Sequence, residues 1–245
     1  MLLQRRSTKV DLHNRRRSSK LDLYNPRYSR KALERSSPNV CATRLYSNDS
    51  SFFEGPTVAV ARRLIGASLF RRVSTGAIVG GRIVETEAYL PLVDPASHGY
   101  RGPTKRNVSM FGRPGRAYVY FIYGNYYCLN VTTEPVGIGA AVLIRALEPM
   151  TGIDAMRRRR PNVPDHKLAS GPGNLCRSLD VDRSCDGADL VTDDRIWIEP
   201  QTLTHGDTPH IIASSRIGLR NAATWPLRFY DENSPSISGK SRARR

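Results

Sequence analysis

The run Ala117–Asn130, AYVYFIYGNYYCLN, constrains this chain more than any other stretch. Six aromatic side chains (Tyr118, Tyr120, Phe121, Tyr123, Tyr126 and Tyr127) crowd into it. Gly124-Asn125 at its centre places glycine first and a polar residue second, the signal for a type II′ hairpin between two strands. Tyr and Phe are good strand formers, so Tyr118 and Phe121 are expected to fill a sheet core. Tyr123, directly before the turn, is the hardest of the six to bury. A flat ring on a rigid protrusion suits contact with nucleic-acid bases, stacked on them or wedged between base steps.

The charge of the chain supports a polyanionic partner but is unevenly placed. Of a formal net charge of +16, residues 1–50 contribute 12 Lys/Arg against 4 Asp/Glu. Residues 236–245 add 4 basic residues and no acidic ones, leaving 22 against 18 in residues 51–235. Basic ends attract nucleic acid, and they are equally what a solvated terminus looks like. Residues 1–50 are Arg- and Ser-rich without sustained periodicity. They are expected to be disordered and also fit an organelle transit peptide or a start codon placed too early. A cytoplasmic, nucleoid-associated location follows if the chain is bacterial; an organelle or the nucleus follows if residues 1–50 are a targeting segment.

Several classes are disfavoured. No run approaches the roughly 20 apolar residues of a membrane span, so no membrane partner is expected. No signal-peptide core follows the start. Cys41, Cys128, Cys176 and Cys185 form no CxxC pair, and the five histidines are scattered, so neither a disulfide framework nor a metal site is supported.

Between the ends, Pro56 to Leu69 reads as a helix with Val60, Leu64 and Ile65 at helical spacing. Strand-like segments follow at Ala77–Val79, Arg82–Tyr89, Tyr118–Tyr123, Tyr126–Thr133 and Ala140–Ala146. Glu148 to Arg160 reads as a short helix ending in a basic run that solvates its last turn, and Ser170 to Leu179 as a Gly/Pro turn opening another helix. Arg195–Glu199 alternates as a late strand. The expected architecture is one α+β domain over residues 51–235: a curved antiparallel β-sheet with flanking helices and a protruding β-hairpin, followed by a basic tail at 236–245.

The segment GRIVETEAYL, Gly81 to Leu90, offers chemistry. As a strand it sends Glu85, Glu87 and Tyr89 to one face. Two close carboxylates push their protonation equilibria apart, a division that glycosidic-bond hydrolysis can use. An exposed edge strand with Arg82 nearby carries the same residues without any chemistry. Arg145 interrupts the apolar run AAVLIRALEP, where a charge is costly unless paired; Glu87 and Glu148 are the candidate partners. His98 sits in a polar loop, and Thr104 and Arg106 in the Thr-Lys-Arg-Asn run offer donors for phosphate oxygens.

Taken together, ETEAY (85–89), the His98 loop, MFGRPGRAYVYFIYGNYYCLNV (110–131), AAVLIRALEP (140–149), SGPGNLC (170–176) and PLRFY (226–230) resemble the alkyladenine, or 3-methyladenine, DNA glycosylase family, in order and without large insertions over about residues 51–235. The resemblance implies a monofunctional base-excision repair enzyme that flips a damaged purine from double-stranded DNA and hydrolyses its N-glycosidic bond, acting as a monomer without cofactor or metal. It implies Glu87 as the base that activates water, with Arg145 helping to hold that water. Tyr89, His98 and Tyr120 match walls that stack on the flipped base. Asn130 matches the residue that crowds the amino group of normal guanine, and Tyr123 the residue that fills the gap left in the duplex. Electron-rich rings favour cationic bases such as 3-methyladenine and 7-methylguanine by about 0.5–2 kcal/mol; deaminated and etheno purines need more help.

The chain departs from the family pattern in two places. Asn174 stands where a lysine is usual, which removes a phosphate contact, and the loop Gly99–Asn107 differs by about one residue from the vertebrate pattern. A DNA-damage-binding module of the same fold without chemistry is the alternative reading. A carbohydrate glycosidase using Glu85 and Glu87 is a third, which the wedge hairpin disfavours.

Overall fold

The computed structural model describes residues 50–201 and 208–239. The expectations for residues 1–49, and for the basic end of the tail from 240 onward, lie outside the described residues.

One strand organises the sheet. β1 (Ser68–Arg72) runs antiparallel to β2 (Ile78–Tyr89), which spans twelve residues. The glycine pair inside β2 does not end it, because Gly80 pairs with Phe70 on one side and Gly81 with Pro149 on the other. The two segments expected at 77–79 and 82–89 are therefore one strand. β3 (Ala117–Ile122) and β4 (Tyr126–Thr132) form the hairpin, and β5 (Ala141–Thr151) lies between β4 and β2. β6 (Ile196–Glu199) extends the far side along β1. β7 (Ile211–Ser214) pairs with β8 (Arg228–Asp231), and β8 pairs with β2 over Glu85–Glu87.

All of these pairings are antiparallel. Register shifts along β2–β5, at Gly80/Gly81, Ile83/Glu85 and Glu85/Thr86, bend the long strands. Extra residues of this kind increase local twist, so the sheet curls into a half-barrel. The curved antiparallel sheet of an α+β fold is thus present.

Among the described residues three α-helices flank it. α1 (Thr57–Arg63) buries Val60 and then Leu64 and Ile65 just beyond its end, as the spacing requires. It is shorter than expected, because residues from Ser68 onward are drawn into β1. Thr86 on β2 donates its hydroxyl to Ala61 O at 2.9 Å, fastening α1 to the central strand. α2 (Ile153–Arg159) begins five residues later than the expected Glu148, because β5 continues through Thr151 alongside β2. Its basic end is partly spent on structure: Arg157 pairs with Asp154 and Asp165, each at 2.7 Å. α3 (Pro172–Leu179) starts at Pro172, where a missing N–H costs nothing.

The hairpin turn differs from the expected type. Tyr123 (φ 53°) and Gly124 (φ 75°) are its central residues, and Asn125 N reaches back to Ile122 O at 3.4 Å. Positive φ at both central positions is the type I′ pattern, so Tyr123 belongs to the turn rather than to the strand before it. Phe121, expected in the core, is 43% exposed and leans on Tyr127 with ring centroids 5.0 Å apart. Tyr118 is in the core, 1% exposed.

Residues after β8 also join the fold. The charge pattern assigns 236–239 to the tail, yet Ser236, Ile237 and Ser238 are buried, and Ile237 packs with Val84, Ala146 and Tyr230. Cys128, Cys176 and Cys185 are free thiols in the interior. Among the described residues no helix is long and apolar enough to cross a membrane.

Candidate active site

β2 delivers Glu85, Glu87 and Tyr89 to the inside of the curled sheet. Both carboxylates are fully buried, so the solvated edge-strand reading fails: β5 covers one edge of the strand and β1 and β8 the other. Buried charge costs several kcal/mol per ion unless it is paired, and the pairing is complete. Arg145, reaching from β5, places Nε 3.0 Å from Glu85 Oε1 and Nη1 3.3 Å from Glu87 Oε1. Arg228, from β8, donates Nε to the same Glu85 oxygen at 2.6 Å. Two anions thus interlock with two cations. Glu148, the other candidate partner of Arg145, pairs instead with Arg82 at 2.5 Å. Burial works to lower the Arg145 pKa, but Glu87 and Glu85 together raise it above the ordinary arginine value, so the guanidinium stays charged.

Glu87 is hung from three donors. Ile217 N reaches Oε1 at 2.8 Å, the Tyr89 hydroxyl reaches Oε2 at 3.0 Å, and Arg145 closes from the side. Burial, and next the Glu87 charge, push the Tyr89 phenol well above its usual range, so it remains a donor. Behind the Tyr89 ring lies Arg216, its guanidinium 4.6 Å from the ring centroid. Arg216 is held by Asp94 at 2.5 and 2.8 Å, with both side chains fully buried. The aromatic wall and the turn carrying Ile217 are therefore built on one buried ion pair.

The hairpin supplies the opposite wall. The Tyr118 hydroxyl and His98 Nδ1 are 2.9 Å apart, and the His98 ring meets Tyr120 edge-on at 4.5 Å. Burial, then the nearby Arg106, lower the His98 pKa, which keeps the imidazole neutral at pH 7. Asn130 is anchored by donating Nδ2 to Tyr118 O at 2.9 Å. Between these groups lies a cavity of about 430 Å³, lined by Tyr89, His98, Tyr120, Asn130 and Arg145 among others, with Tyr123 also on its wall. Its size suits a small planar ligand. Glu87 sits behind that lining, on the hydroxyl of Tyr89 and the guanidinium of Arg145.

The fold therefore gathers seven of the nine residues singled out from sequence around one cavity: Glu87, Arg145, Tyr89, His98, Tyr120, Asn130 and Tyr123. Thr104 and Arg106 lie apart from it. Thr104 donates both its N–H and its hydroxyl to Asn107 Oδ1, at 2.6 and 2.9 Å, shaping its own loop. Arg106 donates to Phe121 O at 2.9 Å, bracing the hairpin from outside. Asn174 also turns inward, donating to Ser170 O at 2.7 Å.

Sequence reasoning missed the supporting residues. Ile217 acts through its backbone N–H, which no residue-type pattern reveals. Arg216, Arg228 and Ser238, whose N–H reaches Glu85 Oε2 at 2.6 Å, lie far from ETEAY in the chain. Arg228 alone carried a signal, a charge inside the short apolar run PLRFY.

The model of the family described as "Methylpurine-DNA glycosylase (MPG)" matches residues 51–235. The mouse "DNA-3-methyladenine glycosylase" is 43% identical over 222 residues, covering 85% of this chain and 65% of the mouse protein. The human protein of the same name is 42% identical over 216 residues, 83% of this chain and 70% of its own length. A protein of Methanocella arvoryzae is 45% identical over 194 residues, 78% of this chain and 94% of its own length. With its motifs gathered around one cavity and the family model covering every residue singled out there from sequence, the chain belongs to the methylpurine-DNA glycosylase family.

Proposed function

We propose that this protein is a base-excision repair enzyme that removes 3-methyladenine and other alkylated purines from double-stranded DNA. The observation that carries this reading is Glu87: a fully buried carboxylate, fixed by three donors, at the back of a cavity walled by aromatic rings. A damaged purine flipped out of the duplex enters between Tyr89, His98 and Tyr120. Tyr123 fills the gap it leaves, on a turn where its side chain is 80% exposed.

An ionised carboxylate offers about four lone-pair sites over its two oxygens. Glu87 Oε2 has accepted only Tyr89, so it retains a lone pair for a water. That water gives a proton to Glu87 as its oxygen bonds to C1′ of the deoxyribose. The C1′–N bond electrons leave with the base, producing an abasic sugar and a free purine. Arg145 steadies the carboxylate and the attacking oxygen. A cationic base is already a good leaving group and is drawn to electron-rich rings, so 3-methyladenine and 7-methylguanine are the preferred substrates, and hypoxanthine and ethenoadenine slower ones. Asn130, rigidly held beneath the cavity, excludes guanine by crowding its amino group.

The test uses methylated DNA and duplexes with a single hypoxanthine or ethenoadenine. Release of 3-methyladenine and 7-methylguanine, or alkali-sensitive strand cleavage at the lesion, is the expected result. No release from any of these substrates overturns the proposal and leaves a damage-binding module.

A further inference from the structure

One short segment reaches Arg145 and Ile217, two of the three donors to Glu87. Following β8, Ile237 is anchored among Val84, Ala146 and Tyr230, which fixes the backbone of the next two residues. Ser238 donates its N–H to Glu85 Oε2 at 2.6 Å and its hydroxyl to Glu85 Oε1 at 3.0 Å. The same hydroxyl accepts from Arg145 Nη2 at 3.0 Å, and the Ser238 carbonyl accepts from Arg228 Nη2 at 2.8 Å. One residue thus touches Glu85 and both arginines of the buried cluster. Gly239, at φ 73°, lies against the Ile217 side chain so closely that a Cβ there would sit 2.9 Å from Ile217 Cδ1. Ile217 is the residue whose N–H holds Glu87 Oε1.

The geometry poses a competition. Arg145 lies between two carboxylates and is closer to Glu85 than to Glu87. Left to these two anions alone, the guanidinium would settle into a two-pronged pair with Glu85, the stronger arrangement. Glu85 is instead supplied from elsewhere: by Arg228, by the Ser238 N–H and by the Ser238 hydroxyl. Meanwhile the Ser238 oxygen occupies Arg145 Nη2 and leaves Nη1 facing Glu87.

We propose that Ser238 is a positioning residue of the excision reaction, holding Arg145 toward Glu87 while the adjoining Gly239 backs the Ile217 turn. The inference rests on the reading of Glu87 as the base. Ser238 touches neither substrate nor water; it acts through Arg145, and its neighbour acts through Ile217.

The experiment compares full-length wild type, Ser238→Ala and Ser238→Thr on a duplex carrying one ethenoadenine, and on methylated DNA if that duplex is not cleaved. Single-turnover excision rate, dissociation constant for the same DNA and thermal unfolding midpoint are measured. Ser238→Ala is expected to slow excision about tenfold, the equivalent of about 1.4 kcal/mol in the barrier, with affinity unchanged. Ser238→Thr, which keeps the hydroxyl, restores the rate. An unchanged rate in Ser238→Ala overturns the proposal. So does a loss of rate, affinity and unfolding midpoint together that Thr does not repair, which marks Ser238 as merely structural. Should Ser238→Ala not fold, Gly239→Ala reads the second arm: slower excision at unchanged affinity supports the role of this segment, and an unchanged rate overturns it. If wild type itself releases no base, the reading of Glu87 fails first; if wild type is active and the variants match it, only the role of Ser238 falls.

Discussion

Arg145 bridges Glu85 and Glu87, with Nε 3.0 Å from the one and Nη1 3.3 Å from the other. A like-charged pair two residues apart on one strand face would repel strongly in a buried, low-dielectric site. The guanidinium between them converts that repulsion into a fixed geometry. It also divides the labour. Glu85 is shared with Arg228 and Ser238, whereas Oε2 of Glu87 accepts from the Tyr89 hydroxyl alone among the described residues.

Glu87→Gln is therefore expected to abolish base release while leaving duplex binding intact. A positioned general base contributes about 10²–10⁴ in rate, so a loss of at least that size is predicted in single-turnover assays. A gel-shift titration run alongside decides the role: if affinity falls as steeply as rate, Glu87 serves the fold rather than the reaction.

Glu85→Gln should act on stability first. It leaves Arg145 and Arg228 buried with one anion between them, and breaking a buried pair from one side costs about 3–5 kcal/mol. Denaturant unfolding measures this directly. A midpoint close to that of the wild type would show that Glu85 is not the anchor of the cluster.

Tyr123 sits at φ 53°, a conformation that costs a non-glycine residue about 1–2 kcal/mol. Tyr123→Gly should therefore raise the unfolding free energy by about 1 kcal/mol while weakening capture of lesion-containing duplex. Tyr123→Ser, which keeps the backbone strain, should lose capture without the gain in stability. If Tyr123→Gly binds lesion DNA as tightly as wild type does, the ring is not a wedge.

His98 gives the site a pH dependence whose sign can be worked out. Its pKa lies below the ordinary 6.5, through burial and then the Arg106 charge. The ring is therefore mostly neutral at pH 6.5 and above and becomes cationic only at lower pH. A cationic wall repels a cationic base but not a neutral one. The ratio of 7-methylguanine to hypoxanthine release should hold steady from alkaline pH down to the ordinary imidazole range, then fall. His98→Gln should remove the fall, and a ratio that tracks wild type in that variant would assign the effect to another group.

Asn174 donates inward to Ser170 O and offers no charge to a phosphate. Asn174→Lys should tighten nonspecific duplex binding and steepen its log–log salt dependence by about 0.9, the increment for one phosphate contact. An unchanged slope would mean that the start of α3 does not face the DNA backbone.

Much of the sheet was legible because its strands alternate or carry β-branched and aromatic runs; the aromatic hairpin, the Glu85–Tyr89 face and the strand around Arg145 all lie where their patterns place them. β1, β7 and β8 were missed. Each is only four or five residues long and lacks the clear alternation that marked the equally short β6; β1 and β8 form on the edges of β2, and β7 on β8. β5 overran its expected end for the same reason: pairing with β2 carries Glu148 and Pro149 as strand, against the local helical signal. Tyr120 and Asn130 were marked only by the family resemblance, whereas Glu87, Tyr89, Tyr123 and Arg145 could be singled out from their own segments. The groups that hold them could not. Ile217 contributes a backbone N–H, and Ser238 lies 153 positions from Glu85, a separation that only the folded chain closes.

The length of β2 has an evolutionary corollary. Glu85, Glu87 and Tyr89 share the side of β2 that faces Arg145 and the cavity because they are spaced by two on one strand, and that strand is held in register by β1, β5 and β8 at once. A single-codon deletion between Gly81 and Tyr89 would bring Thr86 or Ala88 to the cavity and turn a carboxylate toward Ala61 and the helix behind it. Point changes along this strand are separate experiments that selection can accept or reject one at a time. A change in its residue count is not, so drift in this lineage is expected to vary the spelling of β2 and to leave its length alone.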